Sequence, residues 1–91
     1  MPEVYLRIEW PDKQADKIYS PSTVINEYFK SGENLPVSEF EIKVTEALNK
    51  ASQRVYERFG FECTSAMAEL DRIKLITSEV DKTGIVKILE Q

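Results

Sequence analysis

Phe40, Val44, Ala47, Leu48, Ala51, Val55 and Phe59 recur at helical spacing, and this one stripe most limits what the chain can fold into. At about 1.5 Å per residue, a helix over residues 39–59 is roughly 30 Å long. Its apolar face needs a second layer along that whole length. The ends carry stop and start signals. Ser38 and Glu41 stand in the Ser-x-x-Glu relation of a capping box, and Val37 and Ile42 occupy the positions of a hydrophobic staple. Gly60 sits where a left-handed C-cap belongs, with Phe61 as its capping contact. Arg54 and Arg58 lie in the last turns, where the helix dipole favours cations.

The covering layer is read from the two ends of the chain. Val4, Leu6, Ile8 and Trp10 alternate with Tyr5, Arg7 and Glu9, the period of a strand with one buried face. Pro11-Asp12-Lys13-Gln14 reads as a turn, and Ala15 to Tyr19 as the returning strand of a hairpin. Ser20 suits an N-cap and Pro21 a first helical position, so Val24, Ile25, Tyr28 and Phe29 predict a helix ending by Gly32. Residues 31–36 read as a connecting loop. Cys63-Thr64-Ser65 opens a further helix, whose apolar face takes Ala66, Leu70, Ile73, Ile76 or its neighbour Leu75, and Val80. Asp81 to Gly84 breaks it. The run Ile85 to Leu89 is apolar except at Lys87 and reads as a third strand returning to the hairpin, at the centre of the sheet. The expectation is an α+β fold in the order β-β-α-α-α-β: a small antiparallel sheet with three helices packed on one face, and a single domain over residues 1–91. Trp10, Phe40 and Phe59 are expected in its core.

Charge and composition remove several functions. The net charge of −4 and pI near 4.9 disfavour nucleic acid and anionic membrane surfaces. No apolar run approaches the roughly 20 residues of a membrane span, and Met1-Pro2-Glu3-Val4 lacks the pattern of a signal peptide. With Cys63 the one cysteine, no intrachain disulfide forms, and a reduced, cytoplasmic compartment is expected. The absence of histidine takes away the commonest general base and zinc ligand. The carboxylates show no calcium-loop spacing, so neither metal nor cofactor is expected.

What remains are local candidates. Cys63, at an expected helix start with Thr64 and Ser65 beside it, is where a lowered thiol pKa would arise, and so is the candidate nucleophile or redox thiol. The plainer reading is a small residue buried at a corner between helices. Ser20, Ser22 and Thr23 could hold an anion at a helix start, or serve only as caps. Lys43, Lys50 and Arg54 run along one flank of the long helix among Glu39, Glu46 and Glu57, as on a solvated face. Tyr5, Tyr19, Tyr28 and Tyr56 are harder to bury entirely than the other aromatics, and Tyr19, Tyr28 and Tyr56 are the candidate binding residues among them. Large amphipathic side chains of this kind favour a binding or self-associating surface, or else lie at the rim of the core.

Taken in order, Met-Pro-Glu, Trp10-Pro11-Asp12, Tyr19-Ser20-Pro21-Ser22 with Val24-Ile25 and Tyr28-Phe29, Ala51-Ser52 to Val55, Phe59-Gly60-Phe61 and Cys63-Thr64-Ser65-Ala66 resemble a family of small bacterial nitrogen-starvation-response proteins. Those proteins are encoded beside a nitrilase, a radical-SAM enzyme, an acetyltransferase and a flavoprotein. The resemblance covers residues 1–76. It departs at the hairpin turn, where the family's Asp-Gly is Asp12-Lys13 here and a change of turn type is expected, because lysine tolerates the left-handed conformation poorly. The resemblance implies no reaction. It implies an accessory or regulatory binding protein of nitrogen limitation or nitrile metabolism, with a protein partner from the nitrilase cluster. The competing reading is a thiol enzyme or redox carrier using Cys63. Homodimerisation is expected if the hairpin or the last strand leaves an open sheet edge.

Overall fold

The computed structural model describes residues 3–60 and 64–90. The alternating N-terminal segment forms β1 (Val4–Glu9), which pairs antiparallel with β2 (Ala15–Ser20), Leu6 lying opposite Ile18. A 3-10 turn spans Thr23–Glu27. A short strand, β3 (Asn34–Pro36), leads straight into α1 (Val37–Phe59), followed by α2 (Thr64–Glu79) and β4 (Ile85–Glu90). The sheet order is β2-β1-β4-β3, all pairs antiparallel. Its inner face presents Leu6, Ile8, Ile18, Leu35, Val86 and Ile88 to Phe40, Val44, Ala47, Leu48, Leu70 and Ile73 of the helices. Phe40 has no exposed surface and sits between Trp10 and Phe29, at ring-centroid distances of 5.5 and 5.3 Å. Full burial of such a ring is worth about 2–3 kcal/mol.

The helix content differs from the sequence expectation. Among the described residues there are two α-helices, and the predicted first helix is only a five-residue 3-10 turn. Val24, Ile25 and Phe29 are buried as the spacing demands, but one turn suffices to place them. The cap also moves by two residues: Ser22 Oγ accepts from Val24 N–H at 3.3 Å, while Ser20 ends β2. The expected loop over 31–36 contains β3, which pairs with β4 from Asn34↔Lys87 to Pro36↔Ile85. β4 is therefore inside the sheet, as its continuous apolar run suggests. Its outer-facing Ile85 and Leu89 nonetheless stay exposed, because both helices lie on the inner face.

The start of α1 is held by a distant loop rather than by its own side chains. Val37 N–H donates to Gly84 O at 2.9 Å and Ser38 N–H to Lys82 O at 3.3 Å. Of the two, the Lys82 carbonyl takes the Ser38 amide that the Glu41 side chain would have served in a capping box. The capping box and staple are thus not formed: no side chain caps the helix, Glu41 instead pairs with Lys82 at 2.7 Å, and Ile42 is 64 % exposed. The 81–84 loop also packs on the hairpin turn so closely that a Cβ on Gly84 would lie 2.8 Å from the Pro11 ring. At the other end Gly60 takes φ +80 and donates to Tyr56 O at 2.7 Å, the expected left-handed cap. Phe59, expected in the core, is 51 % exposed, because the stripe drifts off the sheet in the last turn.

The hairpin turn keeps the conformation that glycine would favour. Trp10 N–H donates to Gln14 O and Lys13 N–H to Trp10 O, both at 2.9 Å, with Lys13 at φ +74. This is a three-residue loop with a left-handed third position, carried by lysine in spite of its Cβ. Among the described residues no helix is long and apolar enough to cross a membrane.

Candidate functional site

The largest polar cluster lies at the seam between α2 and the outer edge of β2. Glu69 and Arg72 are three residues apart on α2, one turn, and so point the same way. Arg72 Nε donates to Glu69 Oε1 at 2.7 Å and Nη2 to Glu69 Oε2 at 3.1 Å. Its Nη1 reaches Asp16 Oδ2 on β2 at 2.9 Å, and Nη2 also reaches Lys17 O at 3.2 Å. Asp16 in turn accepts from Trp10 Nε1 at 3.0 Å and from Lys17 N–H at 2.7 Å, and Glu69 Oε2 accepts from Tyr19 N–H at 2.7 Å. Burial acts to raise the Asp16 carboxyl, but the hydrogen bonds from Arg72 and Trp10 and the charge of Arg72 outweigh it and hold the group below its ordinary value. Glu69, and then Asp16, push the Arg72 guanidinium further up.

Two open depressions flank Arg72. One, of about 450 Å³, has Trp10, Ile76 and Val80 as its apolar wall and Asp12, Asp16 and Glu79 as its acids. The other, of about 500 Å³, lies between Tyr5, Tyr19, Ser65 and Glu69. Arg72 carries bonds from all three of its nitrogens into the protein, so it is a strut and not a hook for an anion. Among the described residues no group of His, Cys, Asp or Glu is placed to hold a metal ion. The Glu69–Arg72 spacing is the one signal of this seam visible in the sequence; its third member, Asp16, is 56 residues away.

A second site is of opposite character. Between α1 and α2 lies a groove of about 400 Å³ whose described lining residues are Asn49, Ser52, Gln53, Tyr56 and Met67, none of them charged. Tyr56 is 54 % exposed there. Ile42 on the outer side of α1 and Leu75 on α2 add further exposed apolar surface to the helical layer.

The sequence candidates are scattered over the molecule. Ser20 and Ser22 are buried and bonded to each other: Ser20 Oγ donates to Ser22 O at 2.7 Å and accepts from Ser22 N–H at 3.3 Å. Tyr19 lies on the outer sheet face, its ring edge-on to Tyr5 at 5.9 Å. Ser65 joins Tyr19 in the depression beside Glu69, and Thr64 is exposed at the start of α2. Tyr28 is half-buried against the core, with Lys50 Nζ 5.5 Å from its ring centroid. Lys43 and Arg54 reach Glu33 and Glu27 at 3.9 and 4.0 Å, so this flank of α1 is tied to the segment before β3. Cys63 lies outside the described residues.

No curated protein and no solved structure matches the chain. A family model described as "Nitrogen starvation-induced protein NitG" matches residues 5–91, reaching through the last strand, beyond the span of the sequence resemblance. The chain therefore belongs to the family of nitrogen starvation-induced NitG proteins.

Proposed function

We propose that this NitG-family chain is an accessory binding protein of nitrogen limitation, which docks through the outer surface of its two helices onto an enzyme encoded with it in a nitrilase gene cluster. The observation that carries the reading is the groove between α1 and α2, whose described lining is uncharged, with Tyr56 exposed on its rim and Met67 in its wall. A rigid, amphipathic tyrosine beside an adaptable methionine and polar amides is the chemistry of a protein interface. Tyr56, Met67, Ile42 and Leu75 form the docking surface. Tyr28 lies on the adjacent flank of α1, and Tyr19 is outside it. The chain has no histidine to act as a base beside Cys63, so a thiol enzyme there would depend on a lowered thiol pKa alone.

Affinity capture of the tagged protein from nitrogen-starved cells, with bound proteins identified by mass spectrometry, tests the proposal. Stoichiometric recovery of one enzyme of that cluster is expected. Recovery of the chain alone, from a lysate shown to contain those enzymes, would overturn it.

A further inference from the structure

A sheet edge is a template for another strand unless something blocks it. This sheet has two. β3 is blunt, with three residues ending in Pro36, which has no N–H to offer. Past it, Gly32 N–H and Glu33 O close the outer side of β4 at Ile88, both at 2.8 Å. The other edge, β2, is six residues long and carries no proline. In an antiparallel pair, successive residues alternate between facing the partner strand and facing away. Trp10 N–H bonds Gln14 O at the turn, so the even-numbered residues of β2 serve β1, while Lys17 and Tyr19 turn their backbone groups outward.

Those outward groups are the ones that α2 occupies. Glu69 Oε2 accepts from Tyr19 N–H at 2.7 Å, and Arg72 Nη2 donates to Lys17 O at 3.2 Å. One acceptor and one donor, three residues apart on a helix, take the places of the carbonyl and amide that a neighbouring strand would present. Arg72 is locked in that position by Asp16 of the same strand at 2.9 Å.

We propose that the Glu69–Arg72 pair is a cap on a strand-addition site, and that without the cap the outer edge of β2 takes the β2 strand of a second copy of this chain. The strand is self-complementary about Ile18. An antiparallel partner puts its Lys17 opposite Tyr19, so each Tyr19 N–H meets a Lys17 O and both bonds lost from α2 are replaced across the two-fold axis. On the outer face the same register sets each Lys17 ammonium beside the partner's Tyr19 ring. Lys17 already shows this preference within one chain, lying 5.7 Å from the Tyr5 centroid.

The test is self-association of the full chain with the cap truncated, Glu69→Ala/Arg72→Ala, followed by sedimentation equilibrium and light scattering, with circular dichroism as the folding control. A folded dimer is expected, associating at least tenfold more tightly than the parent. It should be abolished by adding Tyr19→Pro, which removes the outward N–H and leaves every bond to β1 intact. A folded double variant that stays monomeric at all concentrations where the parent does would overturn the proposal, as would association that survives Tyr19→Pro. If the double variant does not fold, Glu69→Leu alone frees the Tyr19 N–H while Arg72 stays on Asp16. It carries the same expectation and the same two overturning results.

Discussion

α2 has two working sides, and they are built on opposite rules. Toward β2 it offers Glu69 and Arg72, whose charges are matched by Asp16 and by backbone groups at 2.7–3.2 Å. Toward the outer flank of α1 it offers Met67, facing Asn49, Ser52, Gln53 and Tyr56 across a groove whose described lining carries no charge. The first side has directional bonds and little left to give a ligand. The second has apolar surface in water and few obligations inside the chain. A dense polar cluster is therefore the structural element here, and the groove is the surface proposed above for docking.

If that contrast is right, the two sides should respond differently to substitution. Arg72→Met should be the most damaging: it leaves the Asp16 and Glu69 carboxylates side by side without their cation, at a cost of about 2–3 kcal/mol in urea unfolding at neutral pH. Gly84→Ala should cost about 1–3 kcal/mol, because the added Cβ meets the Pro11 ring at 2.8 Å at the knot joining hairpin, 81–84 loop and α1. Asp16→Asn should cost about 1–2 kcal/mol at pH 7. The Asp16 carboxyl titrates below its ordinary value of 3.8, so its stabilisation is present above that pH and is lost as pH falls through the lowered value. The gap between parent and Asp16→Asn should accordingly narrow in unfolding curves taken from pH 5 down to pH 2, and a gap that widened would remove Asp16 from the account. Tyr56→Ala should change stability by about 0.5 kcal/mol or less, as at an exposed surface position. Lys13→Gly should have a small effect of opposite sign, a gain of about 0.5–1 kcal/mol in thermal unfolding, by relieving the φ of +74.

Much of this architecture was legible along the chain, and the parts that were not share a physical cause. The alternation of Val4 to Trp10 and the stripe from Phe40 to Val55 are local periods that burial enforces, and both appear as read. Ser38 and Glu41 carry a local capping signal, yet carbonyls of the 82–84 loop, more than 40 residues away, took the amides first. β3 has three residues and a proline, too few to show a period, and exists only because β4 lies beside it. Val24 and Ile25 in one 3-10 turn, with Phe29 just past its end, meet the same burial pattern as a helix, and spacing alone does not separate the two. The tyrosines were read as one class, but the fold parts them: Tyr19 goes to the sheet face, Tyr28 to the core's rim beside Lys50, and Tyr56 to the groove.

That separation gives the sharpest test of the central claim. The affinity of the enzyme proposed as partner should be measured by titration calorimetry for the parent, Tyr56→Ala and Tyr19→Ala, all three shown to be folded. Binding at least tenfold weaker for Tyr56→Ala and unchanged within twofold for Tyr19→Ala is expected. Equal affinities for parent and Tyr56→Ala, or a loss confined to Tyr19→Ala, would contradict it and move the docking surface from the helices to the sheet.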